Sequence, residues 1–295
     1  NTSNLQSVGL IILLVSKAAG FDAGDYTDDH HVSGVLHGQR ALAEIVEMKR
    51  TAHMIHRTMA NLQDKEKHGD KFNDLLYGNK IVLLTGDYLL ATCLKSLGGL
   101  RNNEVTELVS TGLRDLVEGD FLGEHDANNC PLPSKPKGKN EWVLRTMLTS
   151  GSILGKGCQG AMKLANKGEE IEKDAYILGG HLALMWQLYL DIKDFFIHPH
   201  SYSLVGAPLV FALWEYPTLY GHILESKLEN KPLNYKELYY AVRGTRATEY
   251  LALFLDEELK AVLKYSERFP IKDARLALQK MALTIHSETV QYIEK

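Results

Sequence analysis

Two carboxylates three residues apart, Asp191 and Asp194, stand in the run Trp186-Gln187-Leu188-Tyr189-Leu190-Asp191-Ile192-Lys193-Asp194. On a helix they share one side with Gln187, and their oxygens could help to hold a hard divalent cation. The same aspartates could instead pair with basic residues of this chain or of a neighbouring one, which at a surface is worth little. His53 and His56 have a spacing usable for a metal, but no third ligand accompanies them, so they read as residues of a half-buried helical face. His198 and His200 flank Pro199 in a turn and read as part of a solvated loop. No Gly-rich phosphate loop, Gly-x-Ser-x-Gly elbow or Cys-x-x-Cys pair occurs, and no metal site is expected in this chain.

The elements that must position these groups are helical. Apolar residues recur three and four apart through Leu36 to Leu62, Leu75 to Leu97, Glu104 to Leu122, Trp142 to Ala165 and Glu170 to Phe196. The pattern continues through Pro208 to Leu228, Tyr235 to Leu263 and Ala274 to Ile293, and strand-like alternation is almost absent. Breaks fall at Gly98-Gly99, at Asn128 to Lys139, at His198 to Ser203 and around Phe269-Pro270. Three prolines and three lysines without periodicity make residues 126–140 an expected flexible, exposed loop. A domain linker is the rival reading; the similar helices on both sides favour one domain over 1–295.

Composition narrows the classes. With 45% hydrophobic and 24% charged residues, the 295-residue chain has the make-up of a globular protein with a substantial core. A net charge of -4 supplies no basic field, so no nucleic-acid partner is expected. Cys93, Cys130 and Cys158 are odd in number and widely spaced, which fits a reducing compartment better than a disulfide framework. The longest apolar run, Gly9 to Val15, is far below the roughly 20 residues that cross a bilayer, so it reads as a buried helix and no transmembrane segment is expected. No signal-peptide pattern precedes it, and any targeting segment is expected to lie outside this sequence.

The order of motifs resembles the all-trans polyprenyl diphosphate synthases. Met54-Ile55-His56-Arg57-Thr58-Met59-Ala60-Asn61, then Lys67-His68-Gly69, then Leu84-Thr85-Gly86-Asp87, resemble that family's aspartate-rich helix, its Arg-Arg-Gly turn and its Gly-Asp helix. Glu118-Gly119-Asp120, Arg145-Thr146 where the family often has Lys-Thr, the Gln187 to Asp194 run where it has Phe-Gln-x-x-Asp-Asp-x-x-Asp, and Gly206-Ala207-Pro208 follow in order. The resemblance implies an all-α isoprenoid synthase-type bundle of about ten helices around a central hydrophobic cavity. It also implies chemistry in which magnesium ions absorb the charge of a leaving diphosphate as isopentenyl diphosphate is added to an allylic diphosphate.

Against that family this chain is depleted. The aspartates of the first motif align with Arg57, Thr58 and Asn61, so no carboxylate remains there, and a guanidinium repels a dication. Leu190 stands for the leading aspartate of the second motif, and Ala207 for a lysine. No catalytic residue is therefore expected; Gln187, Asp191, Asp194 and Lys67 are the candidates for a residual contact with diphosphate or Mg2+. Gly86-Asp87 could serve helix packing and a buried polar network, and Ala52 stands where long-product enzymes of the family carry a small side chain above the tunnel. The resemblance implies a non-catalytic subunit paired with a catalytic homologue that holds the Mg2+, in a hetero-oligomer, expected to be a heterotetramer, acting on isoprenoid diphosphates for the ubiquinone side chain in the mitochondrial matrix. An autonomous divergent prenyltransferase, and a module binding a prenyl chain or a protein outside any synthase, are the alternatives.

Overall fold

The computed structural model describes residues 7–20, 31–60, 62, 71–126, 130–134, 139–228 and 233–294. Its helices, in chain order, are α1 (Val8–Ala19), α2 (His37–His56), α3 (Phe72–Gly99), α4 (Asn103–Asp120), α5 (Lys139–Thr146), α6 (Ser152–Leu164) and α7 (Glu169–Ile197). They continue with α8 (Ala207–Glu215), α9 (Thr218–Leu228), α10 (Tyr235–Arg243), α11 (Ala247–Ser266) and α12 (Lys272–Ile293). A two-strand hairpin, His31–Val32 with Val35–Leu36, leads into α2; Ser33 (φ 55°) and Gly34 (φ 81°) make its tight turn.

Local chemistry starts these helices. Ser7 Oγ accepts from the Leu10 amide and Glu47 accepts from the Gly9 amide at 2.8 Å, so a carboxylate of α2 satisfies the positive end of α1. Asn102 caps α4 by accepting from Val105 N at 3.0 Å. Gln39 accepts from Leu36 N and donates to Ala161 O at 2.9 Å, tying the start of α2 to α6.

The long α7 runs through the centre, packed against α6, α11 and α12, and carries the buried series Leu178, Leu182, Met185, Leu188, Ile192 and Phe195. Its crossing with α6 is set by glycine meeting glycine: a Cβ on Gly179 would lie 2.9 Å from Gly155 Cα. Where the periodicity of Trp142 to Ala165 reads as one helix, five residues, Met147–Gly151, form a π-helical turn between α5 and α6. Such turns re-aim side chains and recur at functional sites. Pro217 divides the stretch 208–228 into α8 and α9, and the turn at Gly244 separates α10 from α11.

One expectation meets a difference. In the loop at 126–140, the described residues Leu132 and Pro133 are buried, Leu132 N donates to Glu124 O at 2.8 Å, and Ser134 donates to Glu141. Among the described residues one helix, α3, is long and apolar enough to cross a bilayer by length and composition alone. Only Gly86, Cys93 and Leu97 of α3 are buried, against α2; Tyr77, Leu84, Tyr88 and Leu94 are more than half exposed.

Between α2 and α4 lies a buried lysine. Lys49 is 1% exposed, donates Nζ to Val109 O at 2.8 Å, and burial lowers its pKa to about 8 despite the opposing charge interaction with Cys93. A depressed lysine contributes stability above its unfolded pKa near 10.5 and loses it as pH falls through about 8. Lys49→Met, of similar volume, is therefore expected to raise Tm at pH 7.5, by about 2 kcal/mol in stability, with the gain shrinking towards pH 10; thermal melts across that range check it.

Candidate functional site

The second-motif helix and the end of α2 face each other across a cleft of about 710 Å3. The C-terminal turns of α2 bring Arg50, His53, Met54 and Arg57 to it; α4 brings Leu116 and Asp120; α5 and the π turn bring Trp142, Arg145 and Thr149; α7 brings Gln187 and Asp191. Its lining is more polar than the hydrophobic cavity that the resemblance implies, with three arginines and three histidines. The cause is local: helices that bury leucines elsewhere end here, and their last turns carry charged residues.

Asp191 sits at the floor, held by three protein donors. Trp142 Nε1 donates to Oδ2 at 2.7 Å, the Ala207 amide to the same oxygen at 2.8 Å, and Gln187 Nε2 to Oδ1 at 2.7 Å. Burial pushes its pKa up to about 6; the three donors oppose this and the charge of Asp194 adds to it. The carboxylate therefore joins α5, α7 and the start of α8. Asp194 does not reach the cleft and pairs with His198 Nδ1 at 3.0 Å on the outer side. Leu190 points away, into a small apolar cavity of about 50 Å3 shared with Trp186 and Met281.

Opposite Asp191, Arg57 is 62% exposed and lies 3.8 Å from Asp120, while the Thr58 hydroxyl donates to Ile55 O at 2.7 Å, spent on its own helix end. Asn61 and Lys67, with His68 and Gly69, lie outside the described residues. Asp120 is bound by His53 Nε2 at 3.0 Å. Burial alone would raise its pKa, but the His53 hydrogen bond and the charges of Arg57, His53 and His125 outweigh burial and hold it below the usual carboxylate range. His56 packs over Gly86, where any Cβ would collide with the ring, and approaches Asp87 at 3.4 Å. Gly86 is thus a packing glycine, whereas Asp87 belongs to no buried network, being 58% exposed. Ala52 is 0% exposed, so no water-sized space opens beside it.

Arg145 was visible in the sequence only through its Lys-Thr resemblance. Its residue is 9% exposed and its Nη2 forms an ion pair with Glu141 at 3.8 Å, beyond hydrogen-bond reach, with no closer acceptor among the described residues. Burial lowers its pKa, opposed by the charges of Glu141 and Asp120.

The magnesium that the resemblance implies needs several oxygen ligands. Among the described residues no three His, Cys, Asp or Glu side chains gather as a metal-holding group, and the two cleft carboxylates are both engaged, one by His53 and the other by neutral donors. Two carboxylates already engaged leave few oxygen ligands for a hard cation, and the three guanidinium groups repel it. The described residues of this cleft do not fit Mg2+.

Direct comparison with known proteins identifies the family of this helical bundle. The polyprenyl synthetase family model matches residues 9–203, and the chain belongs to that family. It is similar to the all trans-polyprenyl-diphosphate synthase PDSS2 of Mus musculus, with 33% identity over 96% of this chain and 72% of the mouse chain. It is also similar to the probable mitochondrial hexaprenyl pyrophosphate synthase of Yarrowia lipolytica, with 29% identity over 85% of this chain and 57% of the other. Among solved structures, the apo form of an Arabidopsis medium/long-chain length prenyl pyrophosphate synthase superposes with a TM-score of 0.73 at 22% identity, covering 97% of this chain and 91% of that one, which shows the shared fold.

Proposed function

We propose that this chain is the non-catalytic subunit of a heteromeric all-trans-polyprenyl diphosphate synthase. The observation that carries the reading is the state of the cleft: Arg57 and Thr58 occupy positions where the family has aspartates, and Asp191 is consumed by three structural hydrogen bonds. A homologue with intact aspartate motifs supplies the Mg2+ site and the chemistry, and the pair adds isopentenyl units to an allylic diphosphate to make the ubiquinone side chain. The likeness to a polyprenyl-diphosphate synthase of mouse supports the product class, and the likeness to a fungal synthase named as mitochondrial supports action in the mitochondrial matrix.

Assembly is assigned to α3. Its outward apolar face is wide for a monomer's surface, and the partner's equivalent helix is the complementary occupant in a dimer of homologues, two such dimers making a heterotetramer. The test is magnesium-dependent incorporation of labelled isopentenyl diphosphate by this chain, by an aspartate-rich homologue, and by the two co-expressed. Activity confined to the mixture, with both chains co-eluting, is the expected result. Turnover by this chain alone would make it an autonomous enzyme.

A further inference from the structure

We propose that a second cavity, between α5, α8 and α11, binds a quaternary ammonium group in an aromatic box. The cavity measures about 310 Å3 and shares no lining residue with the cleft. Tyr250, Phe254 and Glu257 follow one another at i, i+4 and i+7 along α11, which sets them on one face, and α8 brings Phe211 and Trp214 opposite them. The floor is firm: Phe211 and Phe254 are buried with ring centroids 5.8 Å apart, and Trp142 meets Phe254 edge-on at 5.8 Å from the far side. Trp214 is 54% exposed and packs against Tyr250 at 5.4 Å, so the box opens to solvent at that wall.

Cations already gather on these rings. The Lys139 ammonium stands 5.4 Å from the centroid of Phe254 and 3.4 Å from Glu257, and the Arg246 guanidinium stands 5.4 Å from the centroid of Tyr250. A ring face carries the negative side of the quadrupole, so it holds a cation without a full counter-charge, and an indole does so best. Trp214 has no side-chain cation over it among the described residues. Charge around the box favours a further cation: Glu215 accepts from the Arg246 amide, Glu249 from its Nε and Glu257 from Lys139, three carboxylates against two cations. Lys139 and Glu257 are 51% and 63% exposed, so their ion pair is weak and yields to a ligand cation. The walls choose the kind of cation. A metal ion or a primary ammonium would lose hydration that π faces and one carboxylate do not replace. A quaternary ammonium has no N–H to satisfy and buries its methyl groups against Trp214, Leu253 and Phe254. At about 310 Å3 the cavity lies at the small end of ligand sites, which suits a group of choline's size. The site does not depend on the subunit reading above.

Titration of the purified chain with choline, followed through broadening of its methyl proton resonance, tests the site. Binding is expected with a Kd on the order of 1 mM. The uncharged carbon isostere, with a tert-butyl group in place of the trimethylammonium, is expected to bind at least about tenfold more weakly. Trp214→Leu keeps an apolar wall but removes the π face, and Glu257→Gln removes the charge; each is expected to weaken choline binding about tenfold. Both side chains are more than half exposed, so neither variant threatens the fold. Lys139→Ala removes the resident competitor and is expected to tighten binding, whereas Tyr77→Ala, an exposed ring on α3, is expected to leave it unchanged. Phosphatidylcholine vesicles separate two sources of the same group. Co-sedimentation that Trp214→Leu abolishes would assign it to a lipid headgroup, and choline binding without co-sedimentation to a soluble ligand; both support the site. No choline binding below about 20 mM, equal binding of the isostere, or unchanged affinity in Trp214→Leu would overturn the proposal.

Discussion

Replacing Leu84 and Tyr88 together with aspartate is expected to abolish pairing with the catalytic homologue while leaving the isolated chain folded. Both side chains project from α3 into solvent, 54% and 70% exposed, so charge there removes little from this chain's own core. At the centre of an apolar interface the same charges would be desolvated without partners, at several kcal/mol each. Hot-spot energies concentrate on such central aromatic and aliphatic side chains. The expected readout is loss of co-elution and a fall in prenyl transfer by the co-expressed pair of more than about 100-fold, roughly 2.7 kcal/mol or more of lost coupling. Retained co-elution would show that α3 is not the contact and would remove that part of the assembly model.

Changing Asp191 separates a structural carboxylate from a ligand. Alanine would orphan Trp142 Nε1 and the Ala207 amide, both aimed at Oδ2, and unseat α8 from α7; a loss of about 2–4 kcal/mol is expected. Asparagine can keep all three contacts, its oxygen accepting from Trp142 and Ala207 and its amide donating to Gln187 once that side chain turns over. The sign of the pH effect follows from the carboxyl being raised to about 6 from 3.8. A raised carboxyl contributes its stability fully below its unfolded pKa and loses it as pH rises through its folded pKa. Asp191→Asn should therefore exceed the wild type by about 1–2 kcal/mol above pH 6 and lose the advantage below about pH 4, as thermal melts at pH 4 and pH 7.5 would show. Activity of the assembled pair should survive Asp191→Asn. Loss of activity with an unchanged Tm would instead make Asp191 a ligand.

The helical class was legible in residue spacing because a helix repeats every 3.6 residues and its buried face must be apolar at that interval. The extents of α2, α3 and α7 follow that pattern to within a few residues at most of their ends. That Arg57 and Thr58 bring no carboxylate to the end of α2 was legible too, since residue type alone decides it. The π turn at Met147–Gly151 was not, because hydrogen-bond slippage inside a helix leaves the apolar period nearly intact.

What only the tertiary structure decided is what each polar group faces. Asp191 and Asp194 share one helix and three residues of spacing, yet one is buried under Trp142 and Ala207 while the other pairs with His198 in solvent. Lys49, a charged side chain, is sealed between α2 and α4. Arg145 becomes notable only when its Nη2 is seen buried beside Glu141, with no hydrogen-bond acceptor among the described residues. The sequence by itself determined the helices and the family, because those depend on local period and on the order of side-chain motifs. Partnership and burial were decided by segments far apart in the chain, whose meeting no local pattern encodes.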